Sequence, residues 1–208
     1  MRLDRHRLVY LDAAHWPDIL AAHLVWDKVP EIVDWIAAGR PLIARRPLCD
    51  DGAGLVPLGL PLPPSLGKQR LAFAVPPAAI LSDGPPPLLV DAAAHAPAEW
   101  QSAIAEIVAL DHATRCFGSL AWAYLTGLSY LSATSDLDLL WEVADARAAA
   151  RLAPIAQIDA AAPMRLDGEF VTPAGLAIQW REWGAGGPEL LVKAMDGHRI
   201  IARAAVFA

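Results

Sequence analysis

Residues 118–138 read GSLAWAYLTGLSYLSATSDLD, with Gly118-Ser119 at the start and Asp136-Leu-Asp138 at the end. The apolar run that begins at Leu137 predicts a buried strand. Because side chains alternate across a strand, Asp136 and Asp138 are expected on one face and the leucines on the other. Two carboxylates on one face would repel each other, but together they can ligate hard cations. The pattern therefore predicts a metal site at Asp136 and Asp138.

The Gly-Ser pair supplies the second element of the predicted site. Gly118 allows the chain to turn closely against a phosphate, and Ser119 opens a predicted helix whose free N–H groups favour an anion. Taken singly, an Asp-x-Asp is more often a solvated edge or turn, and a Gly-Ser is more often an ordinary turn and helix cap. In combination, the two motifs indicate metal-dependent nucleotidyl transfer.

Composition limits the class of protein. The chain has 208 residues, of which 55% are hydrophobic, so it can bury the core of one large or two small domains. Pro, His or charged residues interrupt its apolar stretches, and the first residues do not resemble a signal peptide, so a cytoplasmic protein without membrane contact is expected. A net charge of −6 disfavours a broad nucleic-acid surface. Cys49 and Cys116 lack zinc or disulfide spacing and are expected to be reduced and structural.

The first part of the chain, residues 1–84, is expected to form a small α/β domain. Predicted strands are residues 7–11, 41–45 and 70–75, and predicted helices are residues 16–25 and 29–38, with residues 55–64 irregular. The segment Asp83-Gly-Pro-Pro-Pro has the composition of a linker, and we place the domain boundary there.

The remainder, residues 85–208, is expected to form a mixed sheet flanked by helices. Apart from the central motif, the predicted elements are helices at residues 98–113 and 145–152, a hairpin of residues 165–171 and 177–183, and strands at residues 190–194 and 200–206. The predicted fold class is thus α/β (α+β), with a smaller N-terminal α/β domain before a nucleotidyltransferase-type C-terminal domain.

Several segments resemble the phosphoribosyl-dephospho-CoA transferase of malonate decarboxylase, also called its holo-acyl-carrier-protein synthase, within the polymerase-β-type nucleotidyltransferase superfamily. They are Phe117-Gly-Ser-Leu-Ala-Trp, Thr134-Ser-Asp-Leu-Asp, Arg5-His-Arg-Leu-Val-Tyr, Gly39-Arg-Pro-Leu-Ile-Ala-Arg-Arg, Gly59-Leu-Pro-Leu-Pro-Pro, Leu166-Asp-Gly-Glu and Gln179-Trp-Arg-Glu-Trp. The resemblance implies a Mg²⁺-dependent enzyme. Its donor would be triphosphoribosyl-dephospho-CoA, its acceptor a serine of the malonate decarboxylase acyl carrier protein, and its leaving group pyrophosphate.

The same resemblance implies a third carboxylate on a later strand. Asp167 is the first choice, and Glu169, which would share its face, and Glu182 are alternatives. Asp167-Gly168 also fits a hairpin turn, because Asp-Gly is a strong turn signal. The predicted catalytic residues are therefore Asp136, Asp138 and Asp167.

Basic residues cluster in the first part of the chain. Arg45, Arg46 and Lys68 are predicted to join Gly118 and Ser119 in binding phosphate or substrate, and they could face either a triphosphate or an acidic carrier protein. The alternative is a solvated face that keeps the protein soluble.

Two other functions are compatible with the sequence. A nucleotidyltransferase with another donor and acceptor would keep both central motifs, because these motifs serve many chemistries. A non-catalytic nucleotide-binding module would keep the fold without the reaction, although such a module predicts an eroded metal face and both aspartates are present.

Overall fold

The computed structural model describes residues 3–23 and 25–208. Contacts divide the chain into two compact units, the first ending at Pro85 and the second comprising Pro86–Ala208. Each unit has its own sheet and its own helices. The predicted α+β fold class, with a smaller N-terminal sheet unit and a C-terminal mixed sheet, is confirmed.

The first unit is built on a five-stranded antiparallel sheet in the order β4-β3-β2-β1-β5. Its strands are β1 Leu8–Leu11, β2 Leu42–Ala44, β3 Val56–Pro61, β4 Arg70–Val75 and β5 Ile80–Gly84. Its α-helices are α1 Trp16–Ala21 and α2 Pro30–Val33. Large buried side chains, among them Trp35 and Phe73, fill its interior, and the indole of Trp16 donates a hydrogen bond to the Ile32 carbonyl.

Three predictions for this unit were wrong in extent or type. Residues 55–64 were expected to be irregular because of their prolines, yet β3 pairs with β4 along its whole length. The buried pairs Val56–Val75, Leu58–Phe73 and Leu60–Leu71 explain this, since apolar pairing across strands outweighs local proline content. Both predicted helices are shorter than expected, ending at Ala21 and Val33, and Leu24 of the first prediction lies outside the described residues.

The second unit has a six-stranded sheet in the order β11-β10-β9-β8-β7-β6. Its strands are β6 Arg115–Phe117, β7 Leu137–Glu142, β8 Leu166–Val171, β9 Ala177–Gln179, β10 Glu189–Ala194 and β11 Gly197–Ala202. Strands β7 and β8 run parallel, and the other neighbouring pairs are antiparallel. The parallel pair makes the sheet mixed and requires the long connection between β7 and β8.

Two helices of the second unit precede its first strand, and the other four lie in the connections between its strands. They are α3 Leu89–Ala92, α4 Gln101–Leu110, α5 Gly118–Thr126, α6 Ala146–Arg151, α7 Ile155–Ala161 and α8 Trp180–Gly184. The strand predicted at residues 177–183 ends at Gln179, and its last four residues belong to α8 instead. The strand expected at residues 200–206 begins earlier, at Gly197, and ends at Ala202. Among residues 3–23 and 25–208, no helix combines the length and apolar character needed to cross a bilayer.

One face of the second sheet forms the core. Leu137, Leu139 and Trp141 of β7 are fully buried and pack in one cluster with residues of α4, α5 and α7. The Trp141 indole donates a buried hydrogen bond of 3.0 Å to Thr114 Oγ1, so its polar atom is satisfied. The predicted alternation of β7 is therefore confirmed, and it leaves Asp138 on the opposite face.

Gly168 of β8 allows Trp141 to pack this closely. A Cβ at this position would lie 2.6 Å from Trp141 Cζ3 and 3.0 Å from the Leu139 carbonyl oxygen. Neither atom can move away easily, because the Trp141 side chain is fully buried and the Leu139 backbone belongs to β7, in the interior of the sheet. Glycine is thus required here for packing.

We expect Gly168→Ala to lower the free energy of unfolding by about 1–3 kcal/mol, because the added methyl group overpacks the core. Urea denaturation measures the change. Gly184→Ala is the matched control, since a Cβ at Gly184 meets no heavy atom within 4 Å, and it should leave stability unchanged or slightly higher. Equal stability of Gly168→Ala and the wild type would contradict this packing argument.

Candidate functional site

Strand register brings two of the predicted carboxylates side by side. Asp138 on β7 is paired directly with Asp167 on the parallel strand β8, and neighbouring strands lie about 4.8 Å apart. Asp136 immediately precedes β7, two residues before Asp138, and the alternation of the strand predicts it on the same face. The alternative in which Asp167-Gly168 forms a turn is wrong, because both residues lie within β8.

Gly118 lies directly against the Asp138 carboxylate. A Cβ on Gly118 would overlap Asp138 Oδ2 and lie 2.7 Å from Cγ. Gly118 also has φ +63°, in the left-handed region that other residues rarely adopt. The position therefore requires glycine for two independent reasons, and the space left by the missing side chain is filled by the acid.

This contact places the start of α5 at the carboxylates. Helix α5 begins at Gly118, with Ser119 as its second residue, directly after β6, as the Gly-Ser motif predicted. The first N–H groups of a helix have no partners within it, and they carry a partial positive charge. Phe117, which precedes the helix, has no polar side-chain atom that could cap them. The helix start can therefore hold an anion beside Asp138.

Asp136 has a cationic neighbour. Arg165 Nη1 lies 3.9 Å from Asp136 Oδ2, and both side chains are more than a third exposed. An exposed pair at this distance adds little stability. Its consequence is local: a positive charge lies beside Asp136.

Asp167 is held by two hydrogen bonds to one oxygen. Its Oδ1 accepts from the Gly168 N–H at 2.9 Å and from Gln179 Nε2 at 3.0 Å. Gln179 was not predicted to be a site residue from the sequence. Its signal was weak, because a Gln at the end of a short strand becomes informative only when that strand is known to lie beside β8.

The two alternative carboxylates have other partners. Glu169 is buried, and its Oε1 accepts from Lys193 Nζ at 2.8 Å. Glu182, on α8, accepts a hydrogen bond from the Leu191 backbone N–H at 2.6 Å. These contacts favour structural roles for both glutamates and leave Asp167 as the third carboxylate that best fits the site.

The donor set suits a hard cation. Asp136, Asp138 and Asp167 offer only oxygen atoms, which are the ligands that Mg²⁺ prefers. Over residues 3–23 and 25–208, no three His, Cys, Asp or Glu side chains are grouped so that they could hold a metal by themselves. Magnesium is commonly held by one or two carboxylates together with substrate phosphates, so two of these aspartates are enough for such a site.

Cys116 lies on β6, beside the site strand. Burial raises the pKa of the Cys116 thiol to about 12, and the charges of Asp138 and Asp91 act in the same direction. The thiol therefore stays protonated and cannot act as a nucleophile near neutral pH. Both cysteines are free, with Cys49 exposed and Cys116 buried.

The predicted basic residues belong to the first unit, and Arg45 is committed to its architecture. Its five N–H groups donate to the carbonyls of Leu58, Arg46 and Phe73 and to both carboxylate oxygens of Asp51, at 2.5–3.0 Å. A guanidinium has only five such donors, so the phosphate-binding role expected for Arg45 is corrected to a structural one. Arg46 is half-buried and Lys68 is exposed, and their substrate roles stay predictions.

Family comparisons match both units of the chain. The N-terminal domain model of phosphoribosyl-dephospho-CoA transferase MdcG matches residues 4–86. The C-terminal domain model of the same transferase matches residues 88–204. Together, these two matches span almost the entire chain.

Individual relatives carry the same description. The chain is 42% identical to the phosphoribosyl-dephospho-CoA transferase of Bradyrhizobium diazoefficiens, over 92% of this chain and 87% of the relative. It is 39% identical to that of Xanthomonas campestris pv. campestris, over 98% and 96%, and 30% identical to that of Pseudomonas putida, over 80% of each. No solved structure matches the chain.

The Arg45–Asp51 pair generates a prediction about stability and pH. Hydrogen bonds from Arg45 lower the pKa of Asp51 below its ordinary value, and the Leu48 N–H acts in the same direction. The ionised carboxylate is therefore favoured by folding. This stabilisation is complete above the unfolded-state pKa of about 4 and is lost as the pH falls through the lower folded-state pKa.

We expect Asp51→Asn to lower the free energy of unfolding by about 2 kcal/mol at pH 7, because it weakens hydrogen bonds to a charged group. The difference from the wild type should shrink as urea titrations are carried from pH 7 to below pH ~4. Asp50→Asn, at the exposed neighbouring residue, should have no such effect. A pH-independent difference would show that the ionised pair is not the source.

Proposed function

Because the chain belongs to the family of phosphoribosyl-dephospho-CoA transferases, we propose that it attaches the phosphoribosyl-dephospho-CoA group to a serine of the malonate decarboxylase acyl carrier protein. The donor in this proposal is triphosphoribosyl-dephospho-CoA. The family matches and the names of the relatives support a transferase that uses a CoA-derived donor. To this, the proposal adds the identity of the carrier, the need for Mg²⁺ and the release of pyrophosphate.

The reaction is a displacement at phosphorus. The serine oxygen of the carrier forms a bond to the first phosphorus of the donor's triphosphate, and the bond from that phosphorus to the departing pyrophosphate breaks. The serine proton passes to a base, and the negative charge that develops on the phosphates must be neutralised. Little covalent chemistry is required of the protein, so positioning and charge control supply the catalysis.

The observation that carries this proposal is the register of Asp138 and Asp167, with Gly118 against the Asp138 carboxylate. It joins a pair of acids to the start of a helix, which are the two elements that a metal-bound polyphosphate needs. Asp136 and Asp138, together with the donor's phosphates, would hold Mg²⁺. When bound, this ion would polarise the attacked phosphorus and lower the pKa of the serine hydroxyl.

The protein's own groups have separate tasks in this proposal. The first N–H groups of α5, with the Ser119 hydroxyl, bind the departing phosphates and orient them away from the serine. Asp167 accepts the serine proton at Oδ2, because its Oδ1 already accepts two hydrogen bonds. Arg165, beside Asp136, limits the negative charge of the site before the substrate arrives.

Intact-mass spectrometry of the carrier tests the function directly. We expect the apo acyl carrier protein, incubated with this enzyme, Mg²⁺ and triphosphoribosyl-dephospho-CoA, to gain the mass of one phosphoribosyl-dephospho-CoA group. ATP and CTP serve as rival donors in parallel reactions. A gain equal to a simple nucleotide would keep the chemistry and reject the proposed donor, and no gain would reject the proposed pair of substrates.

Asp136→Asn should lower the transfer rate at least about 100-fold while the protein stays folded, because it removes a charge from the metal-binding face. The matched control is Asp196→Asn, since Asp196 is also an exposed aspartate beside an arginine, with Arg199 Nη1 at 3.4 Å. The control should react at the wild-type rate. Near wild-type transfer by folded Asp136→Asn would exclude Asp136 from the site.

Two glycines at opposite ends of α5 provide a sharper comparison. Gly118→Ala should reduce transfer about 100-fold, because the methyl group displaces Asp138 from its place. Gly127 also has positive φ, +68°, yet a Cβ there meets no heavy atom within 4 Å. Gly127→Ala therefore carries similar backbone strain without the displacement, and it should keep its transfer rate when corrected for the folded fraction. Equal losses in the two variants would mean that strain alone, and not the Asp138 contact, explains the effect.

A further inference from the structure

The side chain of Gln179 joins two elements of the second unit. Gln179 ends β9, pairs with Glu169 and precedes α8. Its Nε2 donates to Asp167 Oδ1 at 3.0 Å. Its Oε1 accepts from the backbone N–H groups of Arg181, at 2.5 Å, and Glu182, at 3.2 Å. One amide therefore caps a helix and contacts a site carboxylate at the same time.

The chemistry of these partners fixes which way the amide faces. Backbone N–H groups can only donate, so the amide oxygen must face α8, and the amide nitrogen must then face Asp167. The reversed amide would set its oxygen against the Asp167 carboxylate and its N–H groups against two donors. The cap thus ensures that Asp167 always meets a hydrogen-bond donor.

The contact orients the Asp167 carboxylate. The Gly168 N–H donates to the same oxygen, Oδ1, at 2.9 Å, so two donors from different directions restrict rotation of the group. The second oxygen, Oδ2, accepts neither of these bonds. Since Gln179 is neutral, it holds the carboxylate in place without cancelling the charge that a cation or a proton would meet.

Helix α8, which follows Gln179, is hydrogen-bonded to β8 through Arg181. Asp159 Oδ1 accepts from the Leu166 N–H at 3.0 Å, and Arg181 Nη1 donates to the Leu166 carbonyl at 2.7 Å. Arg181 and Asp159 also pair with each other at 2.7 Å. Both backbone polar groups of Leu166, the residue before Asp167, are therefore held by an ion pair, and one member of that pair, Arg181, lies on α8 two residues after Gln179.

We infer that Gln179 is a positioning residue of the transfer reaction, and that its amide holds Asp167 so that Oδ2 is presented to the reacting groups. This inference rests on the catalytic role proposed for Asp167. Outer partners that orient site carboxylates commonly affect activity about 10- to 100-fold.

The substitution Gln179→Glu isolates this role from the helix cap. The introduced carboxylate has the same shape and can still accept from the N–H groups of Arg181 and Glu182, but it opposes Asp167 with a like charge. We expect kcat for carrier modification to fall about 10- to 100-fold. We expect the KM values for the donor and the carrier to change less than about twofold, because neither substrate loses a binding contact. A wild-type kcat in the folded variant overturns the inference.

A stability cycle tests the Gln179–Asp167 contact without using activity. Gln179→Glu is made alone and together with Asp167→Asn, which exchanges the amide and the carboxylate. We expect Gln179→Glu to lower the urea midpoint of unfolding in the wild type and to lower it less beside Asp167→Asn, where the introduced carboxylate no longer faces a like charge. An equal decrease in both backgrounds overturns the inference, because the side chain then acts only as a cap.

Asp145→Asn is the matched control for changing the charge of a cap. Asp145 caps α6 of the same unit by accepting from the Ala148 N–H at 2.7 Å, and this variant should keep wild-type kcat. Asp167→Asn alone distinguishes failure of the positioning role of Gln179 from failure of the catalytic role of Asp167. Wild-type kcat in that variant refutes the catalytic role of Asp167 and the positioning role with it, whereas failure of the stability cycle overturns the inference and leaves the proposed function intact.

Discussion

The Asp138 carboxylate occupies the space that a side chain on Gly118 would need, and the arrangement of the site depends on this contact. It places the start of α5 against β7, so that the first backbone N–H groups of the helix and a carboxylate are held together before any substrate binds. Asp138 is paired with Asp167 on its other side. Asp138 therefore links α5 to β8, and its position depends on the absence of a side chain at Gly118.

In β7, the alternation of side chains places three large core residues on one face and Asp138 on the other. Leu137, Leu139 and Trp141 are buried on one face, and this burial fixes the register of β7. A slip of one residue would move the acids into the core and the apolar side chains out of it. The hydrophobic packing that stabilises the unit is thus also what sets the position of Asp138, and Gly168 contributes by admitting Trp141.

Three basic residues are held by partners within their own unit. Arg45 donates all its N–H groups within the first unit, Lys193 pairs with buried Glu169, and Arg181 pairs with Asp159. Each of these pairs fixes backbone or side chains that would otherwise be free. Asp167 differs, because its side-chain partner is the neutral amide of Gln179. A neutral partner restricts the direction of the carboxylate and leaves its charge available for the role proposed for Asp167.

Local patterns in the sequence were sufficient for the strand of Asp138 and for the helix that opens at Gly118-Ser119, because alternation and glycine conformation are properties of neighbouring residues. They were insufficient for β3, where prolines concealed a strand that forms through its buried pairing with β4. They also suggested a substrate role for Arg45, since a sequence shows a charge but not its partner. The pairing of Asp138 with Asp167 and the contact of Gln179 with Asp167 were decided only by tertiary structure. Both depend on which strands become neighbours, and hydrogen bonding between segments distant in the chain determines that choice.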